Sequence, residues 1–162
     1  MTSLEFAINL ELEGEKYYRK QAELNKDNYL KVVFDLLAKD EKKHAEKLKN
    51  RLQHKAFDLK ESSALKEVED IFSGLNDFIT TLNDESQKQL KAYDEALAIE
   101  KQSIELYEKL HAEAQDAEDK KLFAYLIGQE NEHYDLFFNI ITLLNRPNEW
   151  VEDAEFGLRE EY

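Results

Sequence analysis

The chain has no cysteine, one proline and four glycines among its 162 residues. Without cysteine there is no disulfide, no thiolate nucleophile, no iron–sulfur cluster and no cysteine-bound zinc or iron, so any metal must be held by oxygen and nitrogen. The scarcity of proline and glycine leaves little to interrupt long helices, and Pro147 lies close to the end. Positive charge is also in deficit. The formal net charge of -14 repels a polyphosphate backbone and leaves no basic stripe, so nucleic acid is not an expected partner. No stretch approaches the roughly eighteen apolar residues of a membrane span, and the opening MTSLEFAINLELEGEK lacks both the basic start and the apolar core of an export signal. The expectation is a soluble, cytoplasmic protein that does not bind membranes.

What the chain does contain is helix-forming composition, rich in Glu, Lys, Leu and Ala. Thr2 with Glu5 forms a capping box, and apolar residues then recur with helical period at Leu4, Ala7, Ile8, Tyr18 and Ala22. The spacing predicts a first helix over about 3–24 and, after the polar break Asn25-Lys26-Asp27-Asn28, a second over about 28–53. From His54 to Asp84 the pattern degrades into short clusters, with breaks at Ser62-Ser63, Ser73-Gly74 and Asn83-Asp84 around one or two short helices, and reads as a crossover. Periodicity resumes over about 85–114 and again over about 118–145. Two antiparallel hairpins joined by one long connection give an all-α, ferritin-like four-helix bundle over residues 1–145. The acidic segment 146–162 reads as a tail whose Trp150, Val151, Phe156, Leu158 and Tyr162 can dock on the bundle or on a second subunit.

The chemistry lies in an internal repeat. Glu11, Tyr18, Glu41 and His44 reappear as Glu100, Tyr107, Glu130 and His133, each displaced by 89 positions, and Ala7, Phe34 and Leu37 reappear as Ala96, Phe123 and Leu126. Seven residues is nearly two helical turns, so each Glu–Tyr pair shares the apolar face of its helix. Each Glu-x-x-His pair is adjacent on a face that also carries apolar residues. Four carboxylates therefore point into the core. Unpaired, they would overwhelm a folding margin of about 5–15 kcal/mol. Two divalent ions bridged by carboxylates, with one imidazole on each, would neutralise them. The metal-ligand candidates are thus Glu11, Glu41, His44, Glu100, Glu130 and His133, matching the template of di-iron and di-manganese carboxylate bundles. Tyr18 and Tyr107 are candidates for core aromatics whose hydroxyls also orient ligating carboxylates. His54 and His111 have no counterpart in the repeat and are assigned no role.

On these residues the chain resembles the rubrerythrin and ferritin-like diiron family, in which Glu followed seven residues later by Tyr alternates with Glu-x-x-His. The ending RPNEWVEDAEFGLREEY is also similar to tails of small rubrerythrin-like proteins. The resemblance implies two iron ions, with manganese or a mixed pair as the alternative, reaction with peroxide or dioxygen, and a homodimer. It implies a separate electron-donor protein, because the four-cysteine rubredoxin domain of rubrerythrins has no counterpart in this cysteine-free chain. Ser103 stands where rubrerythrins carry a further Glu three residues after Glu100, which puts efficient peroxidase chemistry in question. Iron storage with ferroxidase entry, and a non-catalytic helical interaction module, are the competing expectations.

Overall fold

The computed structural model describes residues 1–27, 30–73 and 90–156, with side chains up to Thr142. Helix α1 spans Ser3–Leu24, α2 Leu30–Leu52, α3 Ala64–Ser73, α4 Leu90–Glu113 and α5 Ala117–Phe156. Helix α1 starts where the capping box demands. The Glu5 backbone N–H donates to Thr2 Oγ1 at 3.1 Å, and the Thr2 N–H donates to Glu5 Oε2 at 2.9 Å, so two otherwise unpaired donors are satisfied. Helix α2 ends without a glycine. His54 adopts the left-handed conformation, φ 57°, while Lys55 N–H reaches Asn50 O at 2.7 Å and His54 N–H reaches Arg51 O at 3.1 Å, the two bonds of a Schellman termination. His54 is therefore a helix stop.

The bundle is two hairpins, α1 with α2 and α4 with α5, and among the described residues it contains no strand. Two apolar layers fill its interior. One combines Tyr18 and Ala22 of α1, Val33, Phe34 and Leu37 of α2, Tyr93 and Ala96 of α4, and Phe137 and Ile140 of α5, with Val68 of α3 against it. The other takes the opposite halves of the same helices: Ala7 and Ile8, Leu48, Tyr107 and Leu110, and Leu122, Phe123 and Leu126. Each hairpin thus gives one end of each helix to each layer, and the buried glutamates and histidines of the repeat lie between them. Phe34 anchors the first layer, its ring centroid 6.2 Å from Tyr18, 6.2 Å from Tyr93 and 6.0 Å from Phe137, spacings typical of favourable aromatic pairs. At the other end Arg51 of α2 is paired with Asp116 at 3.2 Å and Asp119 of α5 at 2.5 Å.

The crossover runs through residues 53–63 to α3, one short helix in the segment where one or two are expected. The breaks expected at Gly74 and Asn83-Asp84, the expected helical residues 28–29 and 85–89, and Leu158 and Tyr162 of the tail lie outside the described residues. One boundary is corrected. The last helix does not end near 145 to release a tail but continues through Pro147 to Phe156. Proline removes one backbone donor and strains the turn before it. The residues that follow, Asn148 to Phe156, contain no glycine to end the helix; Gly157 comes next.

Candidate metal centre

The six metal-ligand candidates come together between the apolar layers, and Tyr18 and Tyr107 reach them from one layer each. Glu11, Glu41, His44, Glu100, Glu130 and His133 are at most 4% exposed. Their ligand atoms fall into two sets, Glu11, Glu41, His44 and Glu130, and Glu41, Glu100, Glu130 and His133, each with all its atoms within 4.8 Å of one another. Glu41 and Glu130 belong to both sets. His44 Nδ1 lies 3.1 Å from Glu130 Oε1 and 3.4 Å from Glu11 Oε2. His133 Nδ1 lies 3.1 Å from Glu41 Oε1 and 3.5 Å from both Glu100 Oε1 and Glu130 Oε2. The two imidazoles face each other, 5.7 Å apart and inclined by 20°.

The tyrosines cross between hairpins. The Tyr107 hydroxyl of α4 donates to Glu11 Oε1 of α1 at 2.5 Å, and the Tyr18 hydroxyl of α1 donates to Glu100 Oε1 of α4. Burial, then the neighbouring carboxylates, push both phenols well above their ordinary range, so they remain donors. Each outer glutamate is thereby held by the opposite hairpin. Tyr93 offers a contrast: it is fully buried, yet its hydroxyl has no partner among the described residues. Tyr18→Phe removes a hydrogen bond to an ionised acceptor and should destabilise the protein by about 1.5–3 kcal/mol, whereas Tyr93→Phe removes an unsatisfied buried hydroxyl and should be neutral or stabilising. Urea midpoints of the two variants should move in opposite directions from wild type, or only the first should fall.

Burial favours the neutral form of every carboxyl here, and the neighbours then separate them. At Glu11 burial is outweighed by the charge of His44 and by hydrogen bonds from adjacent groups, which hold it at about 2. At Glu100 burial is likewise overcome, by His133 and by hydrogen bonds that include Tyr18, and the carboxyl is lowered. Glu41 and Glu130 go the other way, raised well above the ordinary range by burial and then by the charges of Glu11 and their other neighbours. Both imidazoles are raised, because Glu11 at His44 and Glu100 at His133 overcome the opposing effect of burial. Without metal the centre therefore favours protons on the two shared glutamates and the two histidines.

That balance leaves atoms without partners. Glu11 Oε2, Glu41 Oε1, Glu100 Oε2, Glu130 Oε2 and His133 Nδ1 are buried and make no hydrogen bond; the 3.1 Å approach of His133 Nδ1 to Glu41 is close but not in a bonding direction. Five unpaired donor atoms of hard and borderline character, converging in one buried space, fit a divalent transition metal pair. Gly14 makes room for them. A Cβ there would meet Glu41 Oε2 at 3.0 Å, so even alanine would press the shared carboxylate. Residues 3–141 match the family model described as Rubrerythrin. The chain belongs to the rubrerythrin family. No curated protein and no solved structure matches it. In this chain Ser103 is buried, and its hydroxyl donates to Ile99 O of its own helix at 3.2 Å.

Two features of the centre were not legible in the repeat. Asp40, directly before Glu41, is buried and lies 3.0 Å from His133 Nε2 through Oδ2, while Ser62 Oγ donates to both of its oxygens at 2.7 Å. Tyr125 has no counterpart in the repeat, yet its ring packs edge-on with that of His44, centroids 6.4 Å apart, and its hydroxyl donates to Lys60 O at 2.6 Å. Both line a cavity of about 680 Å³ between α2, α5 and residues 56–63, and His44 lines it too. A buried acid beside a ligand, with a partner in a loop far along the chain, leaves no periodic signal.

Proposed function

We propose that this rubrerythrin-family chain is a non-haem diiron oxidoreductase that reduces hydrogen peroxide or dioxygen with electrons from a donor outside the chain. The observation that carries this reading is the pair of four-residue ligand sets sharing Glu41 and Glu130. Glu11 and His44 would complete one position, Glu100 and His133 the other. Iron bound there supplies two one-electron reductants side by side, matching the two electrons and two protons that convert hydrogen peroxide to two waters. The chain's own contribution is arrangement. Tyr18 and Tyr107 fix the outer carboxylates, the apolar layers exclude bulk water, and the cavity at His44 offers a small oxidant a route inward. No helix among the described residues is long and apolar enough to cross a membrane, and with no cysteine in the chain a thiolate-bound electron relay must lie elsewhere.

The test is an anaerobic ferrous titration followed by stopped-flow mixing with hydrogen peroxide and, separately, with dioxygen. Saturation at about two irons per chain, as the ligand template requires, with one peroxide consumed for each pair of ferrous ions oxidised, is the expected result. Uptake continuing far beyond two irons would instead establish storage, and metal that binds but ignores both oxidants would remove the enzymatic reading.

A further inference from the structure

The two halves of the centre differ in what stands behind each imidazole. Asp40 and Gln129 occupy equivalent places in the repeat, 89 positions apart and each directly before a shared glutamate. Asp40 meets His133 Nε2 at 3.0 Å and is itself held by Ser62. A carboxylate in that place keeps the proton on Nε2, leaves the Nδ1 lone pair directed at the glutamates, and makes that nitrogen a better ligand. Gln129 does not do the same for His44. Its Nε2 donates to Glu61 Oε2 at 2.9 Å, which turns its Oε1 away from Glu61, and that oxygen is buried without a partner. Among the described residues none hydrogen-bonds to His44 Nε2. His44 and Gln129 both line the 680 Å³ cavity, whereas His133 does not.

We infer that the two metal positions are unequal: the His133 position, backed by Asp40, fills first and holds tightly, and the His44 position fills second and exchanges through the cavity. The inference rests on the reading of the six residues as metal ligands. Partners of this kind are worth about 10- to 100-fold in metal affinity, so the two binding steps are separated by at least about tenfold. Asp40→Asn keeps the shape but loses the charge, and weakens the first step while leaving the second nearly unchanged. Gln129→Asp places at the second imidazole the group that the first one has, and strengthens the second step.

The experiment is a titration of the full metal-free chain, labelled with ¹⁵N-histidine, with zinc, which has no redox chemistry to confuse the readout. The ring nitrogens of His133 are expected to shift over the first equivalent and those of His44 over the second. In Gln129→Asp the two should shift closer together, and this variant keeps the test alive if Asp40→Asn fails to fold, as circular dichroism would show. Simultaneous shifts at every zinc ratio in wild type, or His44 moving first, would overturn the inequality while sparing the two-metal site. Absence of zinc binding by folded protein would overturn both.

Discussion

Glutamine in place of Glu41 abolishes uptake of both metal ions, whereas glutamine at Glu11 or at Glu100 leaves one bound. The difference follows from membership: Glu41 belongs to both four-residue sets, while Glu11 and Glu100 each belong to one. An amide keeps the shape of the side chain but carries no charge, so both positions lose one of the two anionic ligands they share, Glu130 being the other. The same change makes the metal-free protein more stable at neutral pH. Glu41 is raised above its ordinary value of 4.5 by burial and by the charges of Glu11, Glu130 and Glu100. A carboxyl raised on folding favours the native state below its unfolded pKa and progressively opposes it as pH rises toward the native value. Below about pH 4 the protonated acid and the amide are then equivalent, and the glutamine variant moves ahead as pH rises toward 7. Metal analysis after dialysis checks the first effect. Urea unfolding with a chelator present, at pH 4 and pH 7, checks the second; an advantage for Glu41→Gln at pH 4 that disappears at pH 7 would have the wrong sign.

Loading the wild-type centre raises the melting temperature by about 15–30 °C. A ligand at 1,000 times its Kd contributes about 4 kcal/mol, two sites therefore about 8, and for a chain of this size each kcal/mol moves Tm by about 2–4 °C. Loading also releases protons. The metal-free centre carries them on Glu41, Glu130, His44 and His133, all raised from their ordinary values, and two divalent ions replace up to four of them at unchanged charge. Affinity accordingly strengthens as pH rises from 5 to 7. Calorimetry in weakly buffered solution with an indicator dye measures both quantities. A Tm change of only a few degrees, or metal uptake without proton release, would mean that the ions sit elsewhere.

The sequence carried the helical hairpins and the site because both are periodic. The core stripes repeat at helical spacing, and the ligands repeat at an offset of 89 that aligns one hairpin with the other. The features it did not carry depend on contacts between segments with no common period. Asp40 acquires its role from His133 on another helix and Ser62 in the crossover, and neither is foreseen by reading Asp40 alone. The shape-making role of Gly14 is visible only once Glu41 of the neighbouring helix lies against it. His54 ends α2 in a conformation that sequence rules reserve mainly for glycine. Pro147 shows the opposite failing, a strong stop signal in a helix that continues. The asymmetry between Asp40 and Gln129 was present in the repeat as a mismatch, but a mismatch acquires meaning only when one partner is seen to reach a histidine and the other to reach Glu61.

On the proposed reading, six side chains from four helices hold two metal ions in one buried space. Anomalous diffraction at the iron edge, from crystals grown with ferrous iron without oxygen, tests it most directly. Two iron peaks about 3.5–4 Å apart are expected, both in contact with Glu41 and Glu130, one also with Glu11 and His44 and the other also with Glu100 and His133. A single peak, or iron bound outside the bundle with these carboxylates still unpaired, would contradict it.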